Sequence, residues 1–234
     1  MSEKNPHIHC QDCSMSELCL PHHLDPQGLE RLDTIIQRHK PLHKRDVLIR
    51  AGAPLKWLYA VRSGSLKSYI IDEHGREQII DFHLPGDLVG FDALSTGQHR
   101  SFAQSLETTM LCEIPIDSLD DLAVQLPALR RQMLRLMSDE LFNGKQLVNT
   151  LNNRTAPQRL AFFLYSLSQR FAARGLSASS FRLTMTRADI ASYLGLSVET
   201  VSRILSSLQD QSIIRVEQKL VHIDNITGLM EAAG

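Results

Sequence analysis

The stretch 186–208, TRADIASYLGLSVETVSRILSSL, constrains this chain more than any other. Thr186 with Asp189 three residues on has the form of an N-cap and capping box, which starts a short helix. Ile190 and Leu194 give that helix one apolar stripe, and Ala191 is small enough for a second helix to cross closely. Gly195 supplies the backbone freedom of a sharp helix end, and Ser197 can cap the second helix. On that second helix Val198, Val201, Ile204, Leu205 and Leu208 fall within one arc at about 100° per residue. Glu199, Ser202 and Arg203 share the opposite arc. An apolar back and a polar front are what a helix-turn-helix needs to enter a major groove. Arg can donate two hydrogen bonds to guanine O6 and N7, and Glu can accept one from cytosine N4. Glu199 and Arg203 can therefore read both halves of one G·C pair, with Ser202 in reach of a neighbouring base or a phosphate. An exposed Glu–Arg pair on an ordinary helix would be worth roughly a few tenths of a kcal/mol, and would leave the Ala-Gly-Val spacing unexplained. The expected partner is double-stranded DNA.

A DNA reader of this size leaves room for a second domain in 234 residues. The formal charge of −1 gives no global attraction to nucleic acid, so binding must rest on a local face. Residues 155–234 carry eight Arg and Lys against six Asp and Glu, a net of only +2. No apolar run reaches the ~18 residues of a membrane span, and MSEKNPHIHC lacks the apolar core of a secretory signal. A cytoplasmic protein with reduced thiols and no membrane partner is expected.

Three of the four cysteines, Cys10, Cys13 and Cys19, crowd into HIHCQDCSMSELCLPHH, and the fourth is Cys112. Such a loop can wrap a metal centre but cannot build a core. Four thiolates suit a tetrahedral zinc or an iron–sulfur cluster, and His7, His9, His22 and His23 keep zinc in competition. Inert thiols in a solvated tail are the alternative.

Residues 24–40 predict an amphipathic helix through Leu29, Leu32, Ile35 and Ile36, stopped by Pro41. The period then changes to two. Short strand-like runs occupy 46–49, 57–61, 65–71, 77–84, 102–107 and 110–115, separated by turn signals, as in an antiparallel barrel or jelly roll. Residues 117–122 predict a short helix, and Pro127 opens a long one to about residue 151. On it Leu129, Met133 and Leu136 can pack on the barrel. Arg130, Leu134, Met137, Leu141, Gly144 and Val148 form a second seam at spacings of four and three, which suits a parallel partner helix in a homodimer. Burial within one chain is the alternative. After a hinge at 152–157 come a helix through Leu160, Phe163, Leu164 and Leu167, a strand at 181–184, the helix-turn-helix, and a hairpin wing at 213–216 and 220–223. The fold class expected is α+β. Its parts are a cysteine-rich segment (1–23), an antiparallel β-roll (24–126), a long dimerisation helix (127–151) and a winged helix-turn-helix domain (152–234).

Together the barrel with PGDLVGF (85–91), the long helix and GLSVETVSR (195–203) resemble the CRP/FNR transcription factors of bacteria, over nearly the whole chain. The cysteine spacing is similar to that of the family's fumarate and nitrate reduction, or anaerobic, branch. That resemblance implies several things. Cys10, Cys13, Cys19 and Cys112 would ligate an oxygen-sensitive four-iron, four-sulfur cluster (4Fe-4S). The cluster form would be a dimer on palindromic TTGAT half-sites, with Glu199, Ser202 and Arg203 reading bases. Ser63, Gly64, Asp72 and Arg76 would contact RNA polymerase, as in an activator.

The cyclic-nucleotide branch of the family competes. Arg100-Ser101 resembles the pair that holds the cyclic phosphate, and Gly90 also matches. Phe91, however, stands where a ribose-binding Glu is expected, and Gly144 and Lys145 fall where a Thr-Ser pair would meet adenine. A zinc-stapled regulator is the other alternative. An enzyme is not expected: the C-x-x-C lies outside any βαβ pattern, and there is no Gly-rich phosphate loop.

Overall fold

A computed structural model describes residues 9–38 and 40–234; His7, as a possible zinc ligand, lies outside them. The chain divides into two compact units, Met1–Leu66 with Phe82–Glu140 and Lys67–Asp81 with Leu141–Gly234. Among the described residues no helix is long and apolar enough to cross a membrane.

In the first unit α1 (Pro26–Ile35) starts at Asp25, whose side chain accepts from the Gly28 N–H. It ends five residues before the expected Lys40. Ile36 is already extended, and Gln37–Arg38 becomes strand β1, paired antiparallel with Glu113 and Cys112. Sheet hydrogen bonds to the strand carrying Cys112 and Glu113 thus override the continuing helical spacing of the isoleucines. The antiparallel strands foreseen from the period of two form: β2 (Val47–Ile49), β3 (Trp57–Ser63), β4 (Leu66–Ile71), β5 (Glu77–His83), β7 (Phe102–Ser105) and β8 (Met110–Pro115), with a two-residue β6 (Leu88–Val89) that the pattern did not announce. One sheet runs β1-β8-β3-β6, and β2 pairs with β7. The pleat of β3 divides its side chains. Leu58 and Ala60 enter one core cluster, while Val61 and Tyr59 join another.

The larger cluster joins that sheet to α1, α2 (Ile116–Gln125) and the start of α3 (Pro127–Asn153) through Leu32, Ile114, Leu119, Leu122, Leu129 and Met133. Each such side chain contributes about 1.5–3 kcal/mol by leaving water. Leu20, from the cysteine loop, is fully buried in the same cluster.

The second unit holds α4 (Ala156–Ala172), β9 (Ser180–Arg182), α5 (Arg187–Leu194), α6 (Val198–Asp210), β10 (Ile214–Glu217), β11 (Leu220–Ile223) and α7 (Ile226–Ala233). Strands β10, β11 and β9 form the wing sheet, and α7, which sequence reasoning missed, packs on α4. Most of the β4–β5 hairpin belongs here too. Lys67 Nζ lies 3.0 Å from Asp189 Oδ1, and the Ile79 N–H donates to Ser192 Oγ at 3.0 Å, tying the hairpin to α5.

Candidate functional site

All four cysteines are free thiols and line one recess, open in part to solvent, together with Met15, Leu20, Ile36, Ala60, Val61, Ile114, Arg38 and Arg62. Three thiols come from two tight turns, Cys10–Asp12 and Ser16–Leu18, and their flanks. The fourth comes from β8, where Cys112 is fixed between Arg38 of β1 and Ala60 of β3. Asp33 of α1 anchors the loop: its carboxylate accepts from the Cys10 N–H at 3.1 Å and from Arg38 at 2.8 Å, and meets His9 Nδ1 at 2.6 Å. Burial opposes ionisation of Asp33, but these donors outweigh it and hold the carboxyl at about 2.

Burial pushes the Cys10 and Cys19 thiols up, the latter to about 12. Burial also raises Cys112, although Arg38 and Arg62 pull the other way. Thiols in this state are protonated at neutral pH, so binding a metal here must release protons. Among the described residues no three His, Cys, Asp or Glu side chains converge closely enough to hold a single metal ion; the thiols ring the recess. The histidines that left zinc open are turned to other partners. His9 meets Asp33, His22 meets Glu17 at 3.0 Å, and the His23 ring lies tilted against that of His22 with centroids 3.6 Å apart. None of the three lines the recess.

The helix-turn-helix is built as its sequence dictates. Thr186 and Asp189 make the reciprocal capping box, Gly195 takes φ 63°, and the Ser197 side chain accepts from the Thr200 N–H. Val201, Ile204, Leu205 and Leu208 are buried. Val198, placed on the same arc, is 41% exposed instead and is the first residue of the helix. Glu199 and Arg203 are exposed and Ser202 is half-buried, all on one face. Arg203 donates to Thr200 Oγ1 at 3.2 Å, and Arg187, not foreseen as part of this face, donates to Ser202 Oγ at 3.2 Å. Backbone and Ser197 hydrogen bonds, with Arg203 nearby, hold the Glu199 carboxyl below its usual range, so the face presents both charges.

On α3, Leu129 and Met133 are buried, whereas Leu134, Leu141 and Val148 are 59%, 61% and 57% exposed in the single chain. Arg130 is exposed and Met137 half-buried on the same seam. Of the polymerase candidates, Ser63 ends β3, and Gly64 has its backbone pressed against Thr108, whose carbonyl oxygen would lie 2.5 Å from any Cβ. Asp72 accepts from the N–H groups of His74 and Arg76 and from Arg76 Nε, which closes the loop at the hairpin tip.

Residues 158–232 match the Crp-like helix-turn-helix domain and residues 39–125 the cyclic nucleotide-binding domain. Over 227 residues, 97% of the chain, the sequence is 55% identical to the anaerobic regulatory protein of Pasteurella multocida, covering 83% of that protein. Over the same share it is 54% identical to the fumarate and nitrate reduction regulatory protein of Escherichia coli, covering 91% of it. The solved structure of FixK2 from Bradyrhizobium japonicum is similar with TM-score 0.78 at 29% identity, over 86% of this chain and 98% of that one.

Proposed function

The chain belongs to the CRP/FNR family of transcription regulators, and from that premise we propose an oxygen-responsive regulator that holds a four-iron, four-sulfur cluster and reads palindromic TTGAT-type DNA as a dimer. It is a regulator and not an enzyme. The recess lined by every cysteine of the chain carries this reading. Thiols are soft donors suited to iron–sulfur clusters, and a ring of them around an open recess suits a cluster of several atoms better than one zinc ion. Cys10, Cys13, Cys19 and Cys112 would hold it, with Arg38 and Arg62 compensating the negative charge that four thiolates concentrate there. When bound, the cluster supplies reactivity towards oxygen.

The rest is work for the chain's own residues. Gln132 of α3 donates to the Cys19 carbonyl oxygen, so the order of the cysteine loop is felt on the helix that carries the seam. A palindrome needs two recognition helices about one DNA turn apart, and Leu134, Met137, Leu141 and Val148, with Arg130 at their start, would pair with a second copy. Glu199, Ser202 and Arg203 would then read bases in each half-site. Ser63, Asp72 and Arg76 would face RNA polymerase, with Gly64 shaping the turn between them, in the cytoplasm where the promoters lie.

Anaerobic purification tests the central claim. Brown protein with iron and sulfide in equal amounts, about four of each per chain, is the expected result. Colourless protein carrying zinc, or no metal, overturns it.

A further inference from the structure

Asp92 occupies a position unlike that of a surface carboxylate. It sits in the short turn Phe91–Ala93 and reaches across the loop to residues 99–101. One of its oxygens, Oδ2, accepts from the Arg100 N–H at 2.8 Å, the Ser101 N–H at 3.0 Å and the Ser101 hydroxyl at 2.9 Å. The other, Oδ1, meets His99 Nδ1 at 3.1 Å. Consecutive backbone N–H groups joined by a hydroxyl are the means by which loops hold phosphate and other oxyanions. Here all three donors converge on one oxygen supplied by the chain itself. Burial opposes ionisation of this carboxyl, yet the hydrogen bonds keep it below its usual range, so the occupant is an anion.

We propose that residues 99–101 form an oxyanion cradle whose resident anion is the Asp92 carboxylate, and that Asp92 is the residue closing this domain to phosphate-bearing ligands. An incoming phosphate meets a like charge and donors already engaged. It must also displace a ligand tethered eight and nine residues from those donors, whose effective concentration is of millimolar order. The segment lies inside the stretch 39–125 that matches a cyclic nucleotide-binding domain, so the cradle accounts for a match of fold without a match of ligand. Phe91, placed where a ribose partner is expected, agrees with that exclusion. The inference is independent of the oxygen-sensing reading, because none of these residues lines the cysteine recess.

Calorimetric titration of the full chain with inorganic phosphate, and separately with cyclic AMP, tests it. Asp92→Ala should bind phosphate at least about tenfold more tightly than the parent, since three converging donors, two of them part-buried, then lose their partner. Asp92→Asn, which keeps an acceptor but removes the charge, should fall between the two and guards against a folding failure of the alanine variant. Adding Ser101→Ala to Asp92→Ala should abolish the gain. Tighter binding of cyclic AMP than of phosphate would place a nucleoside beside the cradle, and equal binding would limit recognition to the anion; either supports the proposal. Folded Asp92→Ala and Asp92→Asn proteins that bind phosphate no better than the parent would overturn it, as would a parent that binds as tightly as they do.

Discussion

The side-chain amide of Gln132 donates to the backbone carbonyl of Cys19 at 3.0 Å, joining the long helix α3 to the cysteine loop. Gln132 is 5% exposed and lies beside Leu129 and Met133, in a region where an unpaired polar group is costly. Leu20, next to Cys19, sinks into the same apolar cluster. The loop therefore reaches α3 through both a hydrogen bond and packing.

Replacing Gln132 by Leu tests that link. Iron content should be unchanged, because no thiol is altered, while anaerobic dimerisation should weaken. A net loss of about 0.5–1.5 kcal/mol corresponds to roughly two- to tenfold in the dimerisation constant. Sedimentation of the anaerobic protein measures it. An unchanged constant at full iron content would remove Gln132 from the coupling.

Cys112 stands apart from the other three thiols, since it comes from a strand held by β1 and β3 on both sides. Cys112→Ser should leave the sheet intact and abolish cluster assembly, read as loss of iron, sulfide and brown colour. Thermal unfolding of the cluster-free proteins should be nearly superimposable. A serine variant that retains its full iron and sulfide would show that the ligand set is wrong.

Much of this was legible beforehand because it is local. The capping box, the Gly195 turn and the period of two in β3 are set by neighbours in sequence, and they appear where the residues place them. The signals that failed are non-local. Helix α1 stops early because β8 offers Gln37 and Arg38 hydrogen bonds that lie more than seventy residues away in sequence. Arg187 joins the polar face of α6 only through the crossing of α5 and α6, and α7 is an eight-residue helix whose partner, α4, begins seventy residues earlier. Gathering four thiols around one recess needed the same long-range pairing: spacing indicated a metal, and only the fold puts Cys112 beside the loop.

Arg203 and Glu199 are exposed on α6, one turn apart, with the Arg203 guanidinium steadied by Thr200. Arg203→Ala should cost about 1–3 kcal/mol on a TTGAT half-site and far less on a site already altered at its G·C pair. Fluorescence anisotropy with the two duplexes at one salt concentration checks this. Equal losses on both would mean that Arg203 holds phosphate and reads no base.

The Lys67–Asp189 pair is nearly buried, with side chains 11% and 12% exposed, and Asp189 also serves the capping box of α5. Desolvation works against both charges. Hydrogen bonds from Thr186 and Lys67 nevertheless keep the Asp189 carboxyl low, and Asp189 and Glu77 keep the Lys67 ammonium high. A depressed carboxyl stabilises the fold above its unfolded value of about 3.9 and ceases to do so as pH falls through its lower folded value. A raised ammonium acts at all pH below its own range and loses its effect only above about 10.4. Lys67→Met should thus destabilise the protein by about 1.5–3 kcal/mol near neutrality, a difference that shrinks below about pH 4. Chemical unfolding of both proteins at pH 7 and pH 3.5 reads the change. A penalty that does not depend on pH would assign the effect to packing of the Lys67 stem.

Leu134, Leu141 and Val148 recur at sevens along α3, each more than half exposed in the single chain. A helix that leaves such a row in water gains by covering it, at about 1.5–3 kcal/mol for each side chain fully buried. In a parallel pair each residue meets its own copy, so one substitution acts twice. Leu141→Asp would set two carboxylates against each other in the seam, and should weaken dimerisation by at least about a hundredfold, since two lost burials together exceed about 2.8 kcal/mol. Cluster content should stay the same, because Leu141 does not line the recess. Binding to a full palindrome should fall with the dimer. Arg130 makes the converse test. It stands exposed four residues before Leu134, a charge at the edge of an apolar row, and in a paired seam its desolvation would oppose dimerisation. Arg130→Leu should therefore let protein purified in air, without cluster, dimerise and bind DNA. Sedimentation in air and in its absence decides both cases. Should the Leu141→Asp protein remain as dimeric as its parent, or Arg130→Leu gain nothing in air, the seam would be lost as the dimer contact, and oxygen would have to act on DNA binding by another path.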